Sequence, residues 1–244
     1  MALDLYEKNL TKLEVEKGFL IAYSENSEPE KFSLVEVTWL DCSENQLTSL
    51  PLFPEGLVVL CCYNNQLTSL PVLPKSLERL VCSGNQLTSL PPLPEGVKVI
   101  NCARNKLVSL PELPKSLERL FCTDCGITSL PLLPEGLETL DCYNNQLTSL
   151  PPLPKNLDRL HCSNNRLSDL PPLSKSLNML FCQDNPLKYV PFFEKRPWYL
   201  FVPKSLEGNH SIKNYQEGYR LQETNRYLFL TVFTELGLQL DFLA

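Results

Sequence analysis

No stretch of about eighteen apolar residues occurs in this chain, so nothing in it reads as a membrane-spanning helix. The opening residues, MALDLYEKNLTKLEVEKG, lack a basic start followed by an apolar run, and no secretory signal peptide is expected. Positive charge is in short supply: 22 Lys and Arg face 28 Asp and Glu, for a net charge of −6. A general nucleic-acid binder needs an electropositive face for phosphates, so that class is excluded. Together these absences predict a cytoplasmic protein.

What the chain does have is a period. The stretch Leu137 to Pro154, LETLDCYNNQLTSLPPLP, finds itself again whenever it is slid by twenty residues. The place of Leu137 is held by Val37, Leu57, Leu77, Val97, Leu117, Leu157 and Leu177. Cys142 recurs as Cys42, Cys62, Cys82, Cys102, Cys122, Cys162 and Cys182. Asn145 recurs as Asn45, Asn65, Asn85, Asn105, Asn165 and Asn185, with Cys125 the one replacement. Eight copies run from residue 37 to 191 without insertion or deletion, which is the signature of a solenoid. Stacked units share one continuous core, so length alone does not divide the chain into domains.

Within each unit, Leu140 and Cys142 alternate with Thr139 and Asp141, the period of a short strand with one buried face. The eight recurrent cysteines therefore point inward, where a thiol packs as a small apolar group. A ladder of free thiols suits a reducing compartment. Asn145 follows where the chain turns, and its amide can bond main-chain groups of its own and the next coil. Leu147, Leu150 and Leu153 complete the expected interior. The return segment, TSLPPLPEG or TSLPVLPKS, has two prolines three residues apart and is expected to be extended and polyproline-like. A longer period is superimposed: Glu55, Lys75, Glu95, Lys115, Glu135 and Lys155 alternate in sign, and Arg79, Arg119 and Arg159 recur every forty residues. Growth by duplication of a forty-residue pair follows.

Three segments are expected: an N-terminal cap over 1–36, the eight repeats over 37–191, and a C-terminal cap over 192–244. In the first, Leu3, Tyr6, Leu10 and Leu13 fall at helical spacing and predict a helix near 3–13. Leu13 to Ala22 could instead pair as a hairpin around Lys17-Gly18. Either would cover the open edge of the first repeat strand. This cap is acidic, with Asp4, Glu7, Glu14, Glu16, Glu25, Glu28, Glu30 and Glu36 against four lysines. A solvated cap or an acidic docking patch both fit. After Pro191, Trp198 to Val202 keeps strand character and reads as a degenerate ninth strand, while residues 211–235 read as one or two helices.

The outward strand positions form the expected binding face. They are Trp39, Asp41, Val59, Cys61, Tyr63, Arg79, Val81, Val99, Asn101, Arg104, Arg119, Phe121, Thr139, Asp141, Tyr143, Arg159, His161, Met179 and Phe181. Aromatics and aliphatics interleaved with arginine are the composition of protein interfaces. Cys61 is expected to be the accessible thiol. Cys122-Thr-Asp-Cys125 has metal-knuckle spacing but no second pair to complete four ligands, so packing is its expected role. Asp141 and His161 should be neighbours with Ser163 nearby, yet an open face offers neither oxyanion hole nor water exclusion. No catalytic residue, metal or cofactor is expected.

The unit LPxLPxxLxxLxCxxNxLTSL resembles the short leucine-rich repeats of bacterial effector proteins of the YopM and IpaH kind. The resemblance covers residues 37–191. It implies a leucine-rich repeat solenoid, in the α/β class but mostly β and extended, with a parallel sheet on the concave side. It also implies a protein-binding module that works inside a host cell. Some members carry a ubiquitin ligase domain with a catalytic Cys-x-Asp motif. Here Cys122-Thr-Asp124 and Cys182-Gln-Asp184 match the tripeptide, but both cysteines belong to the inward column. A non-catalytic protein binder is therefore expected. A recognition piece of a ligase and a self-associating structural protein are the alternatives, and the oligomeric state stays open.

Overall fold

The computed structural model describes residues 1–25, 27–191, 197, 199–203 and 206. Residues 1–203 form one compact unit and 204–244 a second. The helices expected over 211–235, and their capping role, lie outside the described residues.

Thirteen short strands are described. β1 (Ala2–Asp4), β2 (Leu10–Glu16), β3 (Phe19–Ser24) and β4 (Glu30–Ser33) precede the repeats. One strand per coil follows: β5 (Trp39–Asp41), β6 (Val59–Cys61), β7 (Arg79–Val81), β8 (Val99–Asn101), β9 (Arg119–Phe121), β10 (Thr139–Asp141), β11 (Arg159–His161), β12 (Met179–Phe181) and β13 (Tyr199–Phe201). β1 and β5–β13 make one ten-stranded sheet, and β2–β4 make a separate antiparallel sheet. Every repeat strand pairs in parallel with the next in a twenty-residue register, as Leu120 with Leu140 and Leu140 with Leu160. The ninth strand is present, with Leu200 opposite Leu180.

The inward columns are as the period requires. All eight recurrent cysteines are fully buried, as are Leu140, Leu147 and their equivalents through most coils. The Leu153 column differs: apart from Leu73, its members are half-buried, because the second proline turns the chain toward the surface there. The returns carry neither helix nor strand, as their prolines dictate.

Each ladder asparagine joins two coils. Asn85 Nδ2 donates to Cys62 O, Cys82 O and Ser83 O at 2.9, 3.1 and 3.2 Å. Its Oδ1 accepts the Leu67 N–H at 3.0 Å. The residue before it takes a left-handed conformation in every repeat, with φ from +48° at Asn64 to +62° at Gly84. Asn and Asp tolerate that region best, which explains their frequency at this position. At Gly84 the glycine leaves room for the Asn64 side chain, whose Oδ1 would have to move if a Cβ were present.

The convex alternation also has a structural reading. The hydroxyl of Ser76, in a PKS triplet, bridges to the carbonyls of Glu55 and Leu57 in the preceding PEG coil. Ser116 repeats this on Glu95 O and Val97 O at 2.5 and 2.8 Å. The Lys75 N–H donates to the Glu55 carboxylate at 3.2 Å.

The helix expected near 3–13 is not formed; the hairpin alternative is. β2 and β3 pair across Lys17-Gly18, with Leu13 opposite Ala22. The first ten residues are a coil in disguise. Leu3 pairs with Leu40, Leu5 N–H donates to Asp41 O at 2.7 Å, and Glu7 N–H to Ser43 O at 3.1 Å. Leu10 N–H donates to Asn45 Oδ1 at 2.8 Å, the bond Leu47 makes to Asn65 one coil later. The unpaired backbone of β5 thus gains a partner, and satisfying that edge outweighs the local helical spacing.

Candidate protein-binding surface

Two columns of side chains cross the concave sheet. In register, the first runs Trp39, Val59, Arg79, Val99, Arg119, Thr139, Arg159, Met179, Tyr199. The second runs Asp41, Cys61, Val81, Asn101, Phe121, Asp141, His161, Phe181, Phe201 over the same pairs. Strands about 4.8 Å apart bring neighbours in each column into contact.

That crowding corrects the expectation of an open face. Val81, Asn101, Phe121, Thr139 and Asp141 are buried, none more than 9% exposed. The other strand candidates, Trp39, Asp41, Val59, Arg79, Val99, Arg119, Arg159, His161, Met179 and Phe181, are half-buried. Tyr63 and Tyr143 lie in the turns after β6 and β10 and are also half-buried, while Arg104 is exposed at a left-handed turn position after β8. Three polar candidates serve their own turns. Asp41, Asn101 and Asp141 accept the N–H groups of Ser43, Ala103 and Tyr143 at 2.9, 3.2 and 3.2 Å. These are Asx turns, which end the strand.

Cys61 is likewise less open than expected. It is half-buried beside Asp41, and burial, then the Asp41 charge, push its thiol up to about 12 against a small opposing effect of Arg79. Burial pushes the ladder thiols up as well, Cys182 to about 12. Cys125 is buried, and its thiol donates to Cys102 O at 3.2 Å. At about pH 7.5 a disulfide thiol reagent should therefore find no more than one of the ten cysteines in the native protein, Cys61, and react with it slowly. Denaturation should release all ten; rapid labelling of several native thiols would mean the columns do not face inward.

The Asp141 and His161 pair is real, with carboxylate and Nδ1 3.3 Å apart. Burial alone would raise the Asp141 carboxyl. The His161 charge and hydrogen bonds from His161, the Tyr143 N–H and the Thr123 hydroxyl outweigh it and hold the group below the usual carboxylate range. Ser163 does not join them: its hydroxyl donates to Gln183 Oε1 at 3.3 Å and its side chain is buried. His161 packs in an aromatic column instead, 4.9 Å from the Tyr143 ring and 5.2 Å from Phe181. Phe181 in turn stacks on Phe201 at 4.8 Å, the planes 9° apart. Phe201 and its neighbour Tyr199 were absent from the candidates read in the sequence. The signal for them was the period itself, since Phe201 stands twenty residues after Phe181.

A family model described as leucine rich repeats (2 copies) matches residues 55–95 and 115–155. The structure of YopM from Yersinia enterocolitica is similar, with a TM-score of 0.62 and 35% identity over 68% of this chain and 42% of that one. YopM from Yersinia pestis, a leucine-rich effector protein, gives 0.59 and 34% over 69% of this chain and 52% of that one. The leucine-rich repeat domain of a Shigella effector gives 0.57 and 28%, covering 68% and 81%. The chain spans about half the length of the YopM structures it matches. No curated protein sequence matches significantly. Among the described residues, no helix is long and apolar enough to cross a membrane. The repeats are leucine-rich repeats, and the solenoid they build is of the kind seen in YopM and the Shigella effector.

Proposed function

We propose that this chain is a non-catalytic protein-binding scaffold that engages its partner through the C-terminal half of the concave sheet. The observation that carries the reading is the stacked column Tyr143, His161, Phe181 and Phe201, half-buried and flanked by Met179 and Tyr199. An aromatic stripe held rigid by its own stacking presents large contact area at little cost in side-chain entropy. Interfaces draw most of their affinity from a few such residues. Likeness to YopM and the Shigella effector supports a bacterial effector that acts in a host cytosol.

The test is affinity capture from host-cell lysate with the wild type and with Met179→Ser/Phe181→Ser. These side chains are half-buried, so the variant should fold. A partner captured by the wild type should be lost, with affinity reduced at least about tenfold. Undiminished capture by the variant would place the interface elsewhere. Autoubiquitination by the purified chain would overturn the non-catalytic assignment.

A further inference from the structure

The single break in the asparagine column brings two thiols together. From Cys42 to Cys162, the residue 23 places after each ladder cysteine is asparagine, except after Cys102, where it is Cys125. Cys125 Sγ lies 3.2 Å from Cys102 O and 3.4 Å from Thr123 O. These are the acceptors an asparagine amide reaches elsewhere, as Asn105 Nδ2 reaches Cys82 O and Ala103 O at 3.0 and 3.2 Å. The Cys125 side chain therefore points back across the coil boundary toward Cys102. There the two thiols bond each other, while Cys102 Sγ also lies 3.5 Å from Phe121 O. At every other coil in that series the cysteine meets an amide, which offers no second sulfur.

The two members of the pair are unlike. The hydrogen bond from Cys102 holds the Cys125 thiol below the ordinary thiol range; burial and the Asp124 charge oppose it, and main-chain bonds from Asn105 and Arg104 reinforce it. The same thiol bond, with burial, pushes Cys102 well up. Cys82 and Cys122 lie within electrostatic reach of Cys125, and burial pushes both of them up. Of these four, only Cys125 keeps any exposed surface, 6%. Hydrogen peroxide is little larger than water and needs far less access than a disulfide reagent, so Cys61 remains the thiol that such reagents find.

We propose that Cys102 and Cys125 form a modification site, which a hydroperoxide oxidises to an intramolecular disulfide. The Cys125 thiolate attacks a peroxide oxygen, the O–O bond breaks, hydroxide leaves, and the sulfur becomes a sulfenic acid. The Cys102 thiol then gives up its proton, its sulfur attacks the Cys125 sulfur, and the S–O bond breaks as a second hydroxide leaves. The two hydroxides take up the two thiol protons. Two thiols and one hydrogen peroxide thus become one disulfide and two waters, with the peroxide accepting both electrons. The new bond ties together the coils of β8 and β9, whose strands end in Asn101 and Phe121 of the concave column.

The test is peptide mass spectrometry of the folded full chain after treatment with hydrogen peroxide. Remaining thiols are blocked with N-ethylmaleimide in denaturant, and the chain is digested without reductant. The Cys102 and Cys125 peptides should be found joined, while the other cysteines stay alkylated. In Cys102→Ser, Cys125 should stop at the sulfenic acid, trapped by dimedone on denaturation. Cys125→Ser should form no disulfide at Cys102, and its thiol loss to peroxide should be at least about tenfold slower. A serine hydroxyl can donate to the same carbonyls, and the wild-type cross-link decides the matter should either variant fail to fold. No disulfide in the folded wild type, one that forms only in denaturant, or a main cross-link from Cys125 to Cys82 or Cys122 would overturn the proposal.

Discussion

Asn145→Leu should destabilise the protein by about 4 kcal/mol, the largest effect expected of any single polar substitution in the ladder. Its Nδ2 donates to Cys122 O, Cys142 O and Tyr143 O at 2.8, 3.1 and 3.2 Å. Its Oδ1 accepts three N–H groups, of Cys125, Gly126 and Ile127, at 3.2, 2.9 and 3.0 Å. Other ladder asparagines accept one, as Asn105 does from Leu87 at 2.9 Å. Leucine fits the volume but supplies no oxygen or N–H, so main-chain groups in two coils lose partners at once. An unmet buried group costs about 1–3 kcal/mol, and three donors share the Asn145 oxygen. The extra apolar contact recovers only part of this. The measurement is the urea midpoint, with Gln146→Ala, an exposed neighbour, as a control expected to stay within about 0.5 kcal/mol. Since repeat arrays can unfold in parts, the shift should be followed by far-ultraviolet circular dichroism and by thiol exposure together. Equal midpoints for Asn145→Leu and Gln146→Ala would show that the asparagine column does not hold the coils together.

Most of the repeat architecture was legible because its cause is local and repeats. A twenty-residue period places Leu140, Cys142 and Asn145 in columns whatever their chemistry, and pairing in register follows. The cap was harder to read for a physical reason. Leu3, Leu5 and Leu10 have the spacing of Leu40, Cys42 and Leu47, so the coil was visible in principle. Yet it stands 37 residues before its neighbour instead of twenty, with leucine in the cysteine place and Lys8 in the asparagine place. With no column to anchor it, the helical spacing of Leu3, Tyr6, Leu10 and Leu13 looked stronger. The binding face was legible in composition but not in exposure. Alternation tells which way Phe121 and Asp141 point. It cannot tell that strands three residues long and tightly stacked will bury them among their column neighbours.

Restoring the repeat at its one defect should stabilise the protein: Cys125→Asn/Gly126→Gln is expected to gain about 1–3 kcal/mol. At every other coil an asparagine oxygen accepts a leucine or isoleucine N–H from the coil before, as Asn65 does from Leu47 at 2.9 Å. For Leu107 the acceptor would be residue 125, and a thiol sulfur accepts only weakly. Cys125 keeps some of the donor role, giving its S–H to Cys102 O and Thr123 O at 3.2 and 3.4 Å. The backbone has adjusted with it, for Gly126 sits at φ +87° where the other coils carry Gln, Lys, Arg or Pro without positive φ. The two positions are therefore coupled. Gly126→Gln alone should destabilise by about 1–2 kcal/mol, because a side chain is strained in that left-handed region. Cys125→Asn alone should gain less than the pair, since the amide enters a coil still shaped for glycine. Only together do they let the chain return to the geometry of its neighbours, so the double-mutant cycle should show a favourable interaction of at least about 1 kcal/mol. Urea midpoints of the four proteins decide it. Strict additivity, or a double variant no more stable than the wild type, would mean that the Cys125 coil is held in its altered shape by the stack around it and not by its own two residues.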